Sequence, residues 1–255
     1  MNGSSVTVQS RKGRQKCYPL SAPLSSALVR RKNCHVSEAP DIAAITIRQR
    51  SAFAVQHLMA VALFSRQCGE IQKIHEGRPL GPFYDEQIAC VSAVIMLAVA
   101  SLECNINEHL ADAGSLLREI PRGAREQFCA LLSNATILEK YERVLAAKDL
   151  EPFKRGESPY QDVDILIAIR NELVHFHPEW HDEQERHEKL GNFLRYRFEL
   201  SPFIAEGAGV LFPQRFVSHG CTKWAVESAL TFMTQFAKRI GVQSRFDKHR
   251  ERIRG

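Results

Sequence analysis

The chain has 255 residues, 44% of them hydrophobic and 25% charged, a composition typical of a globular protein with a sizeable core. The chain has seven cysteines, an odd number, and no Cys-x-x-Cys pair, so a disulfide framework is not indicated. No apolar leader segment is visible in the sequence, and a reducing, cytoplasmic location is expected. The net charge of +5 is unevenly distributed: residues 1–37 carry +7, residues 242–255 carry +3 and the body between them carries −5, an arrangement that attracts polyanions to the two ends.

The ends and the body of the chain differ in pattern. Residues 1–50 contain Ser, Pro and Arg without periodicity and predict a basic, disordered arm. Residues 51–241 show helical spacing of apolar side chains and predict a single helical domain. Residues 242–255 predict a solvated basic tail.

Two long helices are predicted first. Apolar residues recur at positions 55, 58, 59, 62 and 63, which predicts a helix over about 52–75. A second helix is predicted over about 84–113, with the apolar run "IACVSAVIMLAVASL" at 88–102. This run has 15 residues, fewer than the roughly 20 needed to cross a bilayer, so we expect a buried core helix and no membrane association.

The second half of the chain predicts further helices. One or two short ones fall within 122–148, and a stronger one begins near residue 160 and ends near 176, because Pro178 disfavours helical geometry in the residue before it. A polar helix over about 181–192, an irregular stretch with short extended pieces over 195–220 and a last helix over about 221–240 follow. The fold class is therefore predicted as an all-α bundle of about five to six helices.

A charged residue, Arg170, interrupts the apolar pattern of the helix within "ILIAIRNELVHFHPEW" (165–180). On a helical wheel Arg170 falls between Leu166 and Val174, inside an apolar arc. Three interpretations remain open: an ion pair with Glu103 of the preceding long helix, a packed stem whose guanidinium reaches water, or a site that binds phosphate.

Two polar residues of the same helix share one stripe. Asn171 and His175 lie four residues apart and are neighbours on a helix, while Arg170 and His175 diverge by about 140° on an ideal one. His175 is either an exposed residue at the helix end or a group suited to acid–base chemistry near neutral pH. Arg170 and His175 would meet only if the helix distorts at its end or if two copies pack across a two-fold axis.

These residues resemble a known family. "RNELVH" (170–175) is similar to the Arg-x4–6-His motif of HEPN-type domains, "AVASLECNINEHL" (98–110) resembles the helix that precedes it, and "CTKWAVESALTFMTQF" (221–236) resembles the closing helix. The resemblance covers about residues 52–240 and implies a helical bundle that dimerises. It does not account for the loop at 195–220 or for the two basic ends.

The resemblance also implies an activity. Many family members are metal-independent endoribonucleases of toxin–antitoxin and phage-defence systems, with a composite site at the dimer interface. Carried over, Arg170 would hold the phosphate, His175 would act as acid or base at the 2′-hydroxyl, and Asn171 would orient either group, with Glu103 and Asn107 in support. RNA, a second copy of the chain and an antitoxin or regulatory protein would be the partners, without a cofactor. The alternative is a helical module of the same fold that binds nucleic acid or regulates without catalysis.

The sequence predicts neither a metal site nor exposed tryptophans for stacking. His177 and His181 have the spacing of a metal-binding pair on a helix, but Pro178 lies between them, and no metal site is predicted. Trp180 and Trp224 are predicted to be packing residues.

Overall fold

Helices and turns make up the described fold. The computed structural model describes residues 50–180, 185–205, 207 and 209–254, and no strand occurs among them, which confirms the predicted all-α class. Nearly all of the predicted arm, residues 1–50, lies outside these residues. The helices are α1 (Ala54–Ile74), α2 (Phe83–Ala111), α3 (Ala113–Leu116), α4 (Arg122–Leu132), α5 (Ile137–Ala147), α6 (Tyr160–Val174), α7 (Glu185–Leu194), α8 (His219–Arg239) and α9 (Arg250–Arg254).

The long helix α2 lies at the centre and is packed by α1, α5, α6 and α8. Helix α1 runs antiparallel to it: Ser101 Oγ donates to the Ala54 carbonyl at 2.7 Å, whereas Gln87 Nε2 donates to Gln72 Oε1 at 3.4 Å near the opposite ends. Of the stripe predicted on α1, Leu58 and Ala62 are buried and Val55 and Met59 are partly buried, whereas Leu63 is 56% exposed, so the periodicity located the core face only in part.

A distant carboxylate caps the start of α1. The backbone N–H groups of Phe53 and Ala54 donate to Glu108 Oε1 at 2.7 and 2.9 Å. The first amides of a helix lack internal partners and carry partial positive charge, so a carboxylate stabilises them. Glu108 also pairs with Arg245, which joins the C-terminal segment to the same point.

Helix α8 begins at a local cap. Ser218 Oγ accepts a hydrogen bond from the Cys221 N–H at 3.0 Å, so the helix starts two residues before the predicted residue 221. Gly220 is required here because an added Cβ would lie 2.4 Å from the Glu199 carbonyl oxygen. The helix then runs parallel to α2, since Gln87 Nε2 donates to the Val217 carbonyl at one end and His109 faces Phe236 at the other.

An aromatic cluster joins α5 to α2 and α8. The Tyr141 hydroxyl donates to the Leu102 carbonyl at 2.8 Å and accepts from Asn105 Nδ2 at 3.0 Å. Its ring makes edge contacts with Phe232 and Phe236, with centroids 4.9 and 4.6 Å apart. Complete burial raises the pKa of the Tyr141 hydroxyl, which therefore stays protonated and keeps donating.

One predicted segment agrees with the structure in part and another differs from it. No strand occurs in the described residues of 195–220, but Val210 (φ −86°, ψ 157°) and Phe212 (φ −111°, ψ 134°) of "GVLF" have extended backbone, and the Phe212 side chain is buried. The solvated tail predicted for 242–255 is wrong for residues 242–254: a 3-10 turn over Asp247–His249 and helix α9 pack there, with Phe246 and Ile253 buried. Two apolar side chains in a charged segment are enough to anchor it on α1 and α8.

Among the described helices, Phe83–Ala111 is long and apolar enough to cross a membrane by length and composition alone. In the structure many of its apolar side chains pack against the neighbouring helices, whereas Ile88 and Met96 are exposed.

Protonation of His109 links stability to pH. Burial, and then the charge of Arg245, lowers the pKa of His109 from 6.5 to about 4, against the opposing effect of Glu108 and Asp112. Between these values the unfolded chain binds a proton that the folded chain does not, so the contribution is complete above pH 6.5 and is lost as the pH falls towards 4. We expect the free energy of unfolding to fall by about 3 kcal/mol over this range from His109 alone.

Urea denaturation of the wild type, of His109→Gln and of the exposed control His177→Gln checks this expectation. The His109→Gln variant should lose most of the pH dependence between neutral and acidic buffer, and the control should keep it. Equal slopes in all three proteins would contradict the assignment.

Candidate functional site

Helix α6 carries the predicted motif at its C-terminal end. The helix ends at Val174, within two residues of the predicted end, and His175 leaves helical geometry with φ −115° and ψ 43°. The His175 N–H still donates to the Asn171 carbonyl at 3.0 Å. The backbone therefore departs from the ideal helix at His175, where the motif needs its side chain to turn towards Arg170.

The polar stripe predicted for this helix faces solvent. Asp164, Ala168, Asn171 and His175 are all exposed, and they follow one another at helical spacing. The apolar Val174 beside them is 46% exposed. The structure thus brings Asn171 and His175 together on an open face of the helix.

Arg170 precedes Asn171 in the sequence and is half-buried, on a different side of the helix from this stripe. Its Nε is buried and has no hydrogen-bond partner, and no carboxylate in the described part of the chain lies within 4.0 Å of the guanidinium. The predicted ion pair with Glu103 is therefore not formed. A guanidinium without a neutralising carboxylate suits a phosphate, whose oxygens match its planar set of donors.

Glu103 and Asn107 bind a different cation. Lys140 of α5 is buried, its Nζ donates to Asn107 Oδ1 at 3.1 Å and it lies 3.9 Å from Glu103 Oε1. These residues hold α5 against α2. No hydrogen bond or ion pair among the described residues connects them to Arg170 or His175, so the structure gives no contact for their predicted supporting role.

A buried carboxylate that the sequence analysis missed lies within the motif. Glu172 is buried, and Arg186 of α7 approaches its Oε2 with Nε at 2.8 Å and Nη2 at 2.7 Å. Glu172 continues the stripe of Ile165 and Ile169, which are also buried. An acid in an apolar stripe was the available signal, because burial of a carboxylate requires a cation.

Helix α7 runs antiparallel along α6. Arg186 near its start binds Glu172 near the end of α6, while Arg197 just beyond its end pairs with Asp162 and donates to Gln161 Oε1 at 2.8 Å near the start of α6. These two attachments fix α7 on the Glu172 side and leave the Asn171–His175 stripe uncovered by it.

Aromatic side chains flank His175. Phe176 stacks on His187, with centroids 5.3 Å apart and planes 13° apart, and keeps part of its ring in solvent. Trp180 is 79% exposed, so its prediction as a packing residue is wrong. Trp224 does pack, against Phe198 with centroids 5.5 Å apart. Phe176 and Trp180 thus keep ring surface in solvent beyond the end of α6, and exposed rings can stack on nucleobases.

A metal site is not apparent in the described residues. Searching them finds no group of three His, Cys, Asp or Glu side chains that could hold a metal ion. His181, which has metal-binding spacing with His177 in the sequence, lies outside these residues.

The Glu172–Arg186 pair gives a prediction about stability. Arg186→Ala leaves the Glu172 carboxylate buried without its cation and should lower the free energy of unfolding by about 2 kcal/mol. Urea denaturation measures the loss, with the exposed Arg195→Ala as the matched control. A second change, Glu172→Gln in the Arg186→Ala background, should recover part of the loss because it removes the buried charge. An Arg186→Ala protein as stable as the control would contradict the pairing.

Comparison with known proteins assigns no family to this site. No family model, curated protein or solved structure matches the chain.

Proposed function

We propose that the protein is a HEPN-like, metal-independent endoribonuclease that acts as a homodimer in the cytoplasm, as a toxin or phage-defence effector. The observation that carries the proposal is the end of α6, where Asn171 and His175 share an exposed face and Arg170 beside them has no carboxylate partner among the described residues. Such an end combines a group that transfers protons with one that binds phosphate.

The proposed chemistry uses the 2′-hydroxyl of RNA as the nucleophile. His175 accepts the proton of that hydroxyl as its oxygen attacks the phosphorus, and Arg170 stabilises the charge that develops on the phosphate oxygens. The 5′-oxygen leaves and takes up a proton from a second acid, for which a second copy's His175 is available. The products are a 2′,3′-cyclic phosphate and a 5′-hydroxyl, and Asn171 orients the phosphate or the imidazole.

A homodimer supplies the second acid. The exposed face of α6 combines the small Ala168 and the apolar Val174 with Asn171 and His175, so two copies can approach closely across a two-fold axis. Such packing removes Val174 from water and places two motifs side by side. An antitoxin or regulatory protein that covers the same face would inhibit by blocking it.

A second candidate is a helical module that binds RNA without cleaving it. The exposure of Trp180 and Phe176 favours it, because stacking on bases requires rings in solvent and no acid–base pair. The two candidates share the RNA partner and differ in whether His175 performs chemistry.

Cleavage of RNA in the presence of EDTA tests the enzyme directly. We expect the wild type to produce cyclic-phosphate ends, and His175→Ala and Arg170→Ala to lose roughly 100-fold or more in rate, because each removes a group acting in the transition state. Mass spectrometry of the products and single-turnover rates are the measurements. His177→Ala, which removes an exposed histidine two residues away, is the matched control.

Arg170 also packs within the fold, so its variants need a second readout. Arg170→Lys keeps the charge and the stem and should fold like the wild type in a thermal melt while cleaving more slowly. RNA binding by a wild type that produces no cyclic-phosphate ends would favour the non-catalytic module. Unchanged cleavage in His175→Ala would overturn the proposed mechanism.

The dimer gives a separate prediction. Ala168→Arg places a long charged side chain on the exposed face of α6 and should convert a dimer into a folded monomer with reduced cleavage. Light scattering at micromolar concentration gives the mass, and circular dichroism shows that the helices remain. Asp164→Arg, nearly two turns before the motif, reports whether the interface extends along the helix. A wild-type monomer that cleaves at full rate would contradict the composite site.

A further inference from the structure

A second cleft lies away from α6, between α1, α8 and α9. Its volume is about 620 Å³, within the range of pockets that hold small molecules. Its floor contains the buried apolar residues Ala62, Val226 and Ile253. No residue of α6 or α7 lines it, so it is separate from the proposed ribonuclease site.

Cationic side chains from all three helices line this cleft. They outnumber the carboxylates four to two: Arg66, Lys73, Lys223 and Arg254 against Glu70 and Glu227. One of the two carboxylates, Glu227, is already paired with Arg254 at 3.0 Å. A net positive charge therefore remains over a concave surface, which concentrates the potential felt by an anion.

The cations are held in different ways. Arg66 Nη1 donates to the Arg252 carbonyl at 3.1 Å, so its guanidinium is fixed at the cleft by a neutral acceptor and keeps its full charge. Lys73 and Lys223 are exposed, and no carboxylate of the described chain lies within 4.0 Å of either. An anion can thus be contacted by one fixed and two mobile cations.

The wall between α1 and α8 is closely packed. The His219 ring lies against Gly69, where an added Cβ would come within 2.9–3.0 Å of its atoms. Ser65 Oγ donates to Thr222 Oγ1 at 2.9 Å, and Thr222 Oγ1 lies 3.3 Å from His219 Nδ1. Burial and then the nearby charge of Lys223 lower the pKa of His219, against the opposing effect of the Ser65 carbonyl and Glu199.

Helix α8 begins beside the cleft at His219, but its first amides are engaged elsewhere: the His219 N–H donates to Gln72 Oε1 at 2.9 Å and the Cys221 N–H to Ser218 Oγ at 3.0 Å. The side-chain cations are therefore the groups that an anion in the cleft would contact. The basic C-terminal segment, which the ribonuclease proposal leaves without a role, forms the third wall through Ile253 and Arg254.

We propose that this cleft binds the phosphate groups of a nucleotide, either free or within an RNA strand. The cations supply charged hydrogen bonds to phosphate oxygens, and the apolar floor supplies a surface for a sugar or base. A simple ion would use only the rim of a cleft of this size. The proposal does not depend on Arg170 or His175, and their loss should leave it intact.

The test removes charge from the cleft without disturbing the core. Lys73→Ala/Lys223→Ala is compared with Lys154→Ala/Lys238→Ala, which removes two exposed lysines outside the cleft, one of them at the other end of α8. Isothermal titration of the full chain with ATP, with pyrophosphate and with a short RNA oligonucleotide gives the affinities at low salt. We expect at least about tenfold weaker binding in the cleft variant and less than about twofold in the control, since screening is limited in a concave site.

The three probes distinguish the source of the phosphate. If the cleft variant, but not the control, loses binding of ATP and pyrophosphate, the ligand is a free nucleotide. If the cleft variant loses binding of RNA only, the ligand is an RNA strand, and either result supports the site. Absence of saturable binding of all three probes to the wild type, or equal weakening in the control variant, would overturn it. The ribonuclease proposal is judged by the formation of cyclic-phosphate ends, and this proposal by the difference in ATP and pyrophosphate binding between the cleft variant and its lysine control, so failure of one is distinguishable from failure of the other.

Discussion

The fold depends on a stripe of buried polar side chains on α2, each engaged by a different neighbour. Ser101 holds the start of α1, Asn105 holds Tyr141 of α5 and Gln87 holds the residue before the cap of α8. A helix buried among several others by apolar contacts alone could rotate or slide with little penalty. A buried donor that loses its acceptor costs about 1–3 kcal/mol, so these polar contacts fix rotation and register where apolar packing does not.

The same constraint places α6. With α5 and α8 fixed on α2 through Tyr141, Phe232 and Phe236, the remaining space between α2 and α8 accepts the Ile165–Ile169 side of α6. Arg186 then neutralises Glu172, the one charge that this side carries inward. The face that carries Asn171 and His175 has no buried side chain and is left in solvent. The exposure of the motif is thus a consequence of how the bundle is packed, and it is the property that the proposed dimer requires.

The positions of the long helices could be predicted from the sequence, because they depend on the local periodicity of apolar residues. The helices α1, α2, α6 and α8 were located to within a few residues, because their apolar side chains repeat at the helical period and Pro178 stops α6. Contacts between distant segments were not predictable in this way. Arg186 is 14 residues from Glu172 and beyond a turn, and nothing in the spacing selects it over Arg195. The packing of the C-terminal segment was missed because Phe246 and Ile253 are too few to form a periodic pattern.

For the site, the sequence selected Arg170, Asn171 and His175, and it offered an ion pair with Glu103 as one of three interpretations of Arg170. Glu103 follows the apolar run of α2 and Asn107 lies one turn further on, yet both contact Lys140 of α5. This arrangement has a consequence for the proposed chemistry. If Glu103 had neutralised Arg170, a phosphate would have to compete with a carboxylate for the same guanidinium. Glu103 instead lies near Lys140, so no acid from α2 competes with a ligand for the Arg170 guanidinium. Phosphate binding at this end of α6 requires that condition.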